Sequence, residues 1–244
     1  MLTFEAFFAE YRRIFCQNNL DKFCKDEIIQ AFYDFTNLLI EENSHTNLTA
    51  IREIPDIITK HFADCLLPEH LIPRNATVLD VGCGGGFPTI PLAIARPDLK
   101  ITAIDSTQKK INFVQKAIDS LKLSNVTAIC ARAEAPELRK FRESFDVVTS
   151  RAMARMPVLI ELTLPFAKVG GRVVALKGAQ GETELAESMR AIPILGGDTS
   201  PERHDLVLKT DNGDESRIIL VVTKNIITPR AYPRNYSAIC KKPL

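Results

Sequence analysis

The chain carries an acid followed by alternating glycines, Asp80-Val-Gly82-Cys-Gly84-Gly-Gly86-Phe87, at the end of a short apolar run. An apolar, helix-like run through Ala95 comes next. A strand that enters a glycine-rich turn and then a helix is how an α/β domain holds a nucleotide-type cofactor. The glycines let the backbone approach the ligand, and the helix N-terminus presents free N–H donors. The dinucleotide form G-x-G-x-x-G, begun at Gly82, requires glycine where Phe87 stands. That position argues against a nicotinamide-dependent oxidoreductase, which remains as an alternative that a cofactor-binding comparison separates.

Such a loop needs a sheet behind it. From about Thr77 short apolar runs alternate with helical stretches, and the pattern predicts strands over 77–81, 101–104, 126–130, 145–150 and 172–177. Helices are expected over 108–121 and 156–164, and the alternation implies βαβ units and a parallel sheet. Two further strands, near 203–209 and 217–224, flank Asp211-Asn-Gly-Asp214, a turn signal for an antiparallel hairpin. The first seventy residues read as helices instead. Phe4, Phe7, Phe8, Tyr11, Ile14 and Phe15 form one stripe at helical spacing, and Ile28, Ile29, Phe32, Phe35, Leu38 and Leu39 a second. A third helix is expected from Pro55 to about Leu67. The expected organisation is a helical extension over 1–72 packed on a cofactor-binding core over 73–224, with a basic tail over 225–244, in one compact domain.

Composition fits that picture. The 244 residues are 45% apolar and 25% charged, ordinary for a globular chain long enough to bury a substantial core. No run reaches bilayer length, and no basic segment precedes an apolar one at the N-terminus, so neither membrane nor export is expected. Six cysteines, at 16, 24, 65, 83, 130 and 240, are scattered without a C-x-x-C pair. They are expected as buried, reduced thiols of a cytoplasmic protein rather than disulfides or metal ligands, with Cys130 inside a strand. A monomer is the simplest assembly. Charge is uneven: residues 1–70 hold 6 bases and 12 acids, a balance of −6, and the remainder 25 and 18, a balance of +7. A polyanionic substrate would be drawn to the part that bears the glycine loop.

Open parallel sheets bind ligands beyond the C-terminal ends of their strands. Past the first expected strand stand Gly82 and Gly84. Past the second stands Asp105, at the spacing of an acid that grips ribose hydroxyls. Past the third come Ala133 and Glu134, a backbone N–H and a carboxylate able to bracket adenine. Past the fourth comes Ser150-Arg151-Ala152, and past the fifth Lys177-Gly178. Any one of these could be a cap or a surface charge; all of them at successive strand ends form a site.

The acid before three alternating glycines resembles the first motif of S-adenosylmethionine (SAM) methyltransferases. Asn47-Leu-Thr, Lys60-His61-Phe-Ala-Asp64, Gly86-Phe-Pro-Thr-Ile-Pro-Leu92, Asp105-Ser, Arg132-Ala-Glu134, Ser150-Arg-Ala and Ala175-Leu-Lys-Gly178 follow in order. Together they resemble the RsmG family (also called GidB), bacterial guanine-N7 methyltransferases of 16S ribosomal RNA, from the N-terminal helices to Tyr232-Pro-Arg234 and the final Lys-Pro-Leu. Cys65 stands where the family often has serine, and Lys60 where arginine is usual. The resemblance implies a class I methyltransferase fold and SAM as cofactor. It also implies Gly82 and Phe87 in the cofactor loop, Ala133 and Glu134 at the adenine end, and Arg151 at the methyl-donor end. The partner it implies is the small ribosomal subunit or its RNA.

Guanine N7 is an exposed lone pair with no proton to remove. Attack on a sulfonium methyl therefore asks for in-line positioning rather than a base, and no catalytic nucleophile is expected. A cytosine-C5 enzyme would need a placed thiolate, and neither Cys83 in the loop nor Cys130 in a strand is well placed. An enzyme of exocyclic amines would show Asn/Asp-Pro-Pro-Tyr where Ser-Arg-Ala stands. A SAM-binding assembly factor without transferase activity is the remaining alternative. Candidate RNA contacts are His61, Arg151, Arg155, Lys177 and the tail from Lys224. Arg230, Arg234, Lys241 and Lys242 there are interleaved with Tyr232 and Tyr236, and the segment has no acid.

Overall fold

Apolar runs that feed βαβ units must bury both faces under helices, and the chain satisfies this with one sheet. The computed structural model describes residues 3–244. Its strands are β1 (Thr77–Val81), β2 (Lys100–Asp105), β3 (Val126–Cys130), β4 (Phe145–Arg151), β5 (Ala167–Lys177), β6 (Glu202–Thr210) and β7 (Gly213–Thr223). They lie in the order β3-β2-β1-β4-β5-β7-β6. The first five are parallel, and β7 runs antiparallel to both β5 and β6. This is the expected Rossmann-like α/β sheet with its antiparallel C-terminal hairpin. Thr210 pairs with Gly213 across the two-residue turn. Strand order reverses between β1 and β4, so their C-terminal ends open a crevice.

Side-chain alternation splits the core. Val78, Val147, Val174, Leu176 and Val221 face one side; Leu79, Val81, Val148, Val173, Ala175 and Leu220 face the other. The first side is covered by the helices Phe4–Gln17, Asp26–Thr46, Thr89–Ala95 and Gln108–Ser120, the second mainly by Met156–Thr163 and Ala191–Ile194. Both N-terminal stripes are packing faces: Phe7, Tyr11, Ile14, Phe15, Ile29, Phe32, Phe35 and Leu39 are buried. Their rings form a continuous series. Tyr11 stacks on Phe15 at 3.8 Å, and Phe32 lies 4.6 Å from Phe62. Phe35 reaches Phe62 at 5.8 Å, Phe87 at 5.7 Å and Phe113 at 6.1 Å. The N-terminal helices thus support the wall of the glycine loop through Phe87. Among the described residues no helix is long and apolar enough to cross a membrane.

Two expectations change. Only Cys65 and Cys83 are buried; Cys16, Cys130 and Cys240 are exposed. Cys130 is exposed because β3 is one of the two edge strands of the sheet, where one edge and part of a face meet solvent. The helix from Pro55 is present over 54–66, but its middle, Ile57–Ala63, is a π-helix.

Phe35 joins three aromatic partners beneath the loop, so truncation should leave a cavity there. Phe35→Ala is expected to lower the unfolding free energy by about 3–5 kcal/mol. Denaturant titration reads this as an earlier midpoint at unchanged slope.

Candidate cofactor and acceptor site

The chain must turn at once on leaving β1, and Gly82 and Gly86 supply left-handed backbone at φ +77° and +90°. A Cβ at Gly82 would lie 2.7 Å from Met153 Cγ, and one at Gly86 2.7 Å from Ile90 Cγ1, so side chains fit at neither. The Gly82 and Cys83 N–H groups donate to the Ile104 carbonyl at 2.8 and 3.0 Å. Gly84 N–H donates to Asp105 Oδ2 at 3.0 Å, and Thr107 N–H to Asp105 Oδ1 at 2.8 Å. Asp105 thereby fixes the loop while each oxygen keeps a further lone pair. The loop borders a cavity of about 490 Å³, a size suited to one nucleoside-type ligand. Gly82, Gly84, Phe87, Asp105, Ala133, Glu134 and Arg151 all line it.

Arg151 ends β4 with only 17% of its side chain exposed, so its charge needs partners. It donates to the Lys60 carbonyl at 2.8 Å, to Asp64 Oδ2 at 3.2 Å and towards His61 Nδ1 at 3.1 Å. The π-helix explains the first of these bonds. Asp64 N–H bonds to the Thr59 carbonyl, five residues back, so it does not take the Lys60 carbonyl as it would in an α-helix, and Arg151 bonds there. Asp64 Oδ1 also accepts from Arg217 Nε at 2.6 Å, so one carboxylate bridges two guanidinium groups. The His61 ring stacks on Phe87 at 4.2 Å and its Nε2 lies 2.8 Å from Thr49 Oγ1. Burial, and then the charge of Arg151, push the His61 pKa down from 6.5 to about 3. Ala152, next in the chain, sits at φ +53°, a left-handed conformation that L side chains rarely adopt.

A second cavity, of about 540 Å³, shares His61, Arg151, Ala152 and Met153 with the first. Lys60, Arg155, Lys177 and Arg217 also line it, against Asp64 and Glu184, so its walls are net basic. Within it, Lys177 is nearly buried, donating to the Ala154 carbonyl at 2.6 Å and pairing with Glu184 at 2.9 Å. Arg155 is exposed and pairs with Glu187 at 2.6 Å.

The tail packs on the core. Lys224 is fully buried, with its Nζ bonded to the Leu164 and Ala167 carbonyls, Thr228 and Glu143. Arg142 donates to the carbonyls of Thr228, Pro229 and Tyr232. Arg234 forms a two-pronged pair with the buried Glu161, at 2.6 and 2.9 Å, and its own N–H donates there too. Asn235 then caps the short helix Tyr236–Lys241, accepting from Ala238 N–H. Tyr236 consequently lines the first cavity beside Glu134, with the Arg132 guanidinium 4.9 Å from its ring centre. Arg132 also pairs with Glu134 at 2.7 Å. Arg230 stays exposed, at a third cavity that includes Arg139 and Arg142.

Sequence reasoning did not single out Thr49, Thr107, Lys110, Met153 or Arg217 as site residues, and placed Tyr236 with RNA. Thr107 and Lys110 carried a usable signal, since they follow β2 directly; Thr49 closes the Asn47-Leu-Thr segment that carries the family resemblance but had no role assigned, and Arg217 arrives from a distant element with no signal.

Asp80, the acid of the glycine motif, is wholly buried beneath the loop. Thr89 Oγ1 donates to its Oδ2 at 2.6 Å, while Oδ1 has no partner. Burial pushes its pKa up from 3.8 to about 7. A carboxyl raised in this way stabilises the fold fully below pH 3.8, and that share is lost as pH rises through 7. His61 acts in the opposite sense: its share is complete above pH 6.5 and is lost as pH falls towards 3. Between about pH 4 and 6.5 the two slopes oppose one another. Asp80→Asn removes the first, so the variant should lose stability more steeply than the parent as pH falls through this window. Unfolding titrations at several pH values would detect it, and parallel curves would refute the account.

The sequence profile of the GidB family, described as rRNA small subunit methyltransferase G, matches residues 28–201. Ribosomal RNA small subunit methyltransferase G of Leuconostoc mesenteroides is 42% identical over 221 residues, which span 88% of this chain and 91% of that protein. The protein of the same name from Staphylococcus aureus is 43% identical over 217 residues, 88% of this chain and 90% of its own length. Among solved structures, the YcgJ protein of Bacillus subtilis superposes with a TM-score of 0.50 at 13% identity, covering 66% of this chain and 97% of that one. That likeness bears on the fold alone. On the matched profile and the identity to full-length relatives, this chain belongs to the GidB family of rRNA small subunit methyltransferase G proteins.

Proposed function

We propose that this protein transfers a methyl group from SAM to N7 of a guanine in the 16S RNA of the small ribosomal subunit. Membership of the family makes a methyltransferase of small-subunit RNA the coarse reading. The observation that carries the finer one is that, among the described residues, no side chain where the two cavities join is a free base or thiolate. His61 has both ring nitrogens engaged and a pKa near 3, so it takes up no proton at neutral pH. Burial holds the Cys83 thiol well above its ordinary value and pushes Cys65 up to about 12. Guanine N7 asks for neither group, because its lone pair is ready to react.

The residues fit the cofactor. The glycine cradle would receive its methionine part, Asp105 the ribose hydroxyls through its spare lone pairs, and Ala133 with Glu134 the adenine edge. When bound, the cofactor supplies a methyl carbon activated by sulfonium. The protein's share is positioning: Arg151 is anchored by three partners at the boundary of the cavities, and such preorganisation can contribute up to roughly 7–11 kcal/mol. The basic walls of the second cavity suit an RNA acceptor.

Small subunits from cells lacking this gene, incubated with the protein and methyl-labelled SAM, are expected to gain label as 7-methylguanosine at one 16S position. Mass spectrometry of the digested RNA reads the product. Label in another nucleoside, or none despite SAM binding, would overturn the reading. Tyr236 gives a second test, because the docked tail sets it in the same cavity as Glu134, the residue proposed for the adenine edge. Tyr236→Ala is expected to weaken SAM binding by about 10-fold in calorimetry, the scale of one aromatic contact to a base.

A further inference from the structure

Thr49 is held more tightly than a loop residue needs to be. The side-chain amide of Asn43 grips its backbone on both sides: Thr49 N–H donates to Asn43 Oδ1 at 2.9 Å, and Asn43 Nδ2 donates to the Thr49 carbonyl at 2.9 Å. The Thr49 hydroxyl oxygen accepts from Ile51 N–H at 3.1 Å and lies 2.8 Å from His61 Nε2. The direction of that last bond follows from the far side of the ring. His61 Nδ1 faces Arg151, 3.1 Å away, and a guanidinium has only N–H groups to offer. Nδ1 is therefore a lone pair, and a neutral ring carries its hydrogen on Nε2, which donates to Thr49. The ring is kept neutral by its burial and by the positive charge beside it. With both lone pairs of the hydroxyl occupied, its own hydrogen can only be donated.

Thr49 lines the cofactor-type cavity, while Ile51, two residues on, lines the basic one. His61 and Arg151 line both. The hydroxyl thus stands at the boundary that an acceptor base must approach. Guanine presents O6 and N7 there as adjacent acceptors, whereas adenine puts an amino donor beside its N7. We infer that Thr49 is the residue that reads guanine: its hydroxyl donates to O6 while N7 is turned towards the methyl donor. Arg151 and His61 are positioning residues in this scheme, fixing the hydroxyl as a donor. The inference rests on the guanine-N7 reading above and adds how the base is chosen.

The test uses the full-length protein, SAM, and small subunits reconstituted with guanine, 2-aminopurine or adenine at the modified position. 2-Aminopurine keeps N7 and lacks O6. The parent enzyme should methylate guanine about 10- to 100-fold faster than 2-aminopurine, the scale of a matched base-edge contact. Thr49→Val should lower transfer to guanine more than transfer to 2-aminopurine, bringing the ratio of the two rates close to one, and should still bind SAM. Thr49→Ser, which retains the hydroxyl, should keep the parental preference. A parent indifferent to O6 overturns the inference without any variant. A Thr49→Val enzyme with the parental ratio, or with impaired SAM binding, overturns it as well. In all these cases the parent still makes 7-methylguanosine; its absence would instead overturn the guanine-N7 reading itself.

Discussion

A guanidinium at the end of a central strand, largely shielded from water, is costly unless every side of it is answered, and Arg151 is where this fold meets that demand. The answers come from one turn of helix: the Lys60 carbonyl, the Asp64 carboxylate and the His61 ring. Asp64 N–H does not compete for that carbonyl, because the helix is in π register over Ile57–Ala63. The irregular turn, the neutral histidine and the shared carboxylate thus all meet at one buried cation. Asp64 extends the arrangement to Arg217 on β7, so the network spans the N-terminal helices, the parallel half of the sheet and the antiparallel hairpin. That gives the N-terminal extension a role beyond covering a sheet face, because it supplies one wall of the site.

The C-terminal tail is organised by the same rule. Glu161 and Lys224 are both wholly buried, and each is answered: Glu161 by Arg234, and Lys224 by Glu143 far along the chain and by nearby Thr228. Breaking such a pair strands a buried charge, so the tail from Lys224 to Arg234 is fixed at both ends. Cations that composition alone would assign to a polyanion are in part spent internally. The exposed remainder, among them Arg230, Lys241 and Lys242, still adds positive potential on that side of the molecule.

The fold was legible because its signals are local. Alternating apolar residues, glycine after β1 and Asp-Asn-Gly before β7 each constrain the backbone within a few residues. Strand direction followed from the βαβ alternation and the hairpin turn, whereas strand order is set by long-range pairing. What the sequence concealed depends on partners at long range. The π register over 57–63 has no local sequence cue, and the side chain that bonds to it, Arg151, lies ninety-one residues from Lys60. Cys130 reads as a core residue because a strand's own sequence does not say that it lies at the sheet edge. Arg234 and Tyr236 looked alike as RNA contacts, yet one is bound to Glu161 and the other faces the cofactor-type cavity.

The candidate site shows how hydrogen-bond direction can be set without a titrating group. A cation that cannot accept fixes one ring nitrogen of His61 as a lone pair, the ring then fixes a hydroxyl, and each step follows from counting donors and acceptors. Because His61 stays neutral over the physiological range, this polarity is insensitive to pH there. A protonated histidine at the same place would point a charge at a purine that, in the reaction we propose, itself becomes cationic on methylation at N7. Keeping the ring neutral avoids that repulsion, while the charge of Arg151 is shared with Asp64. The buried cation that shapes the local helix therefore also sets the electrostatic environment in which a neutral base could become a charged product.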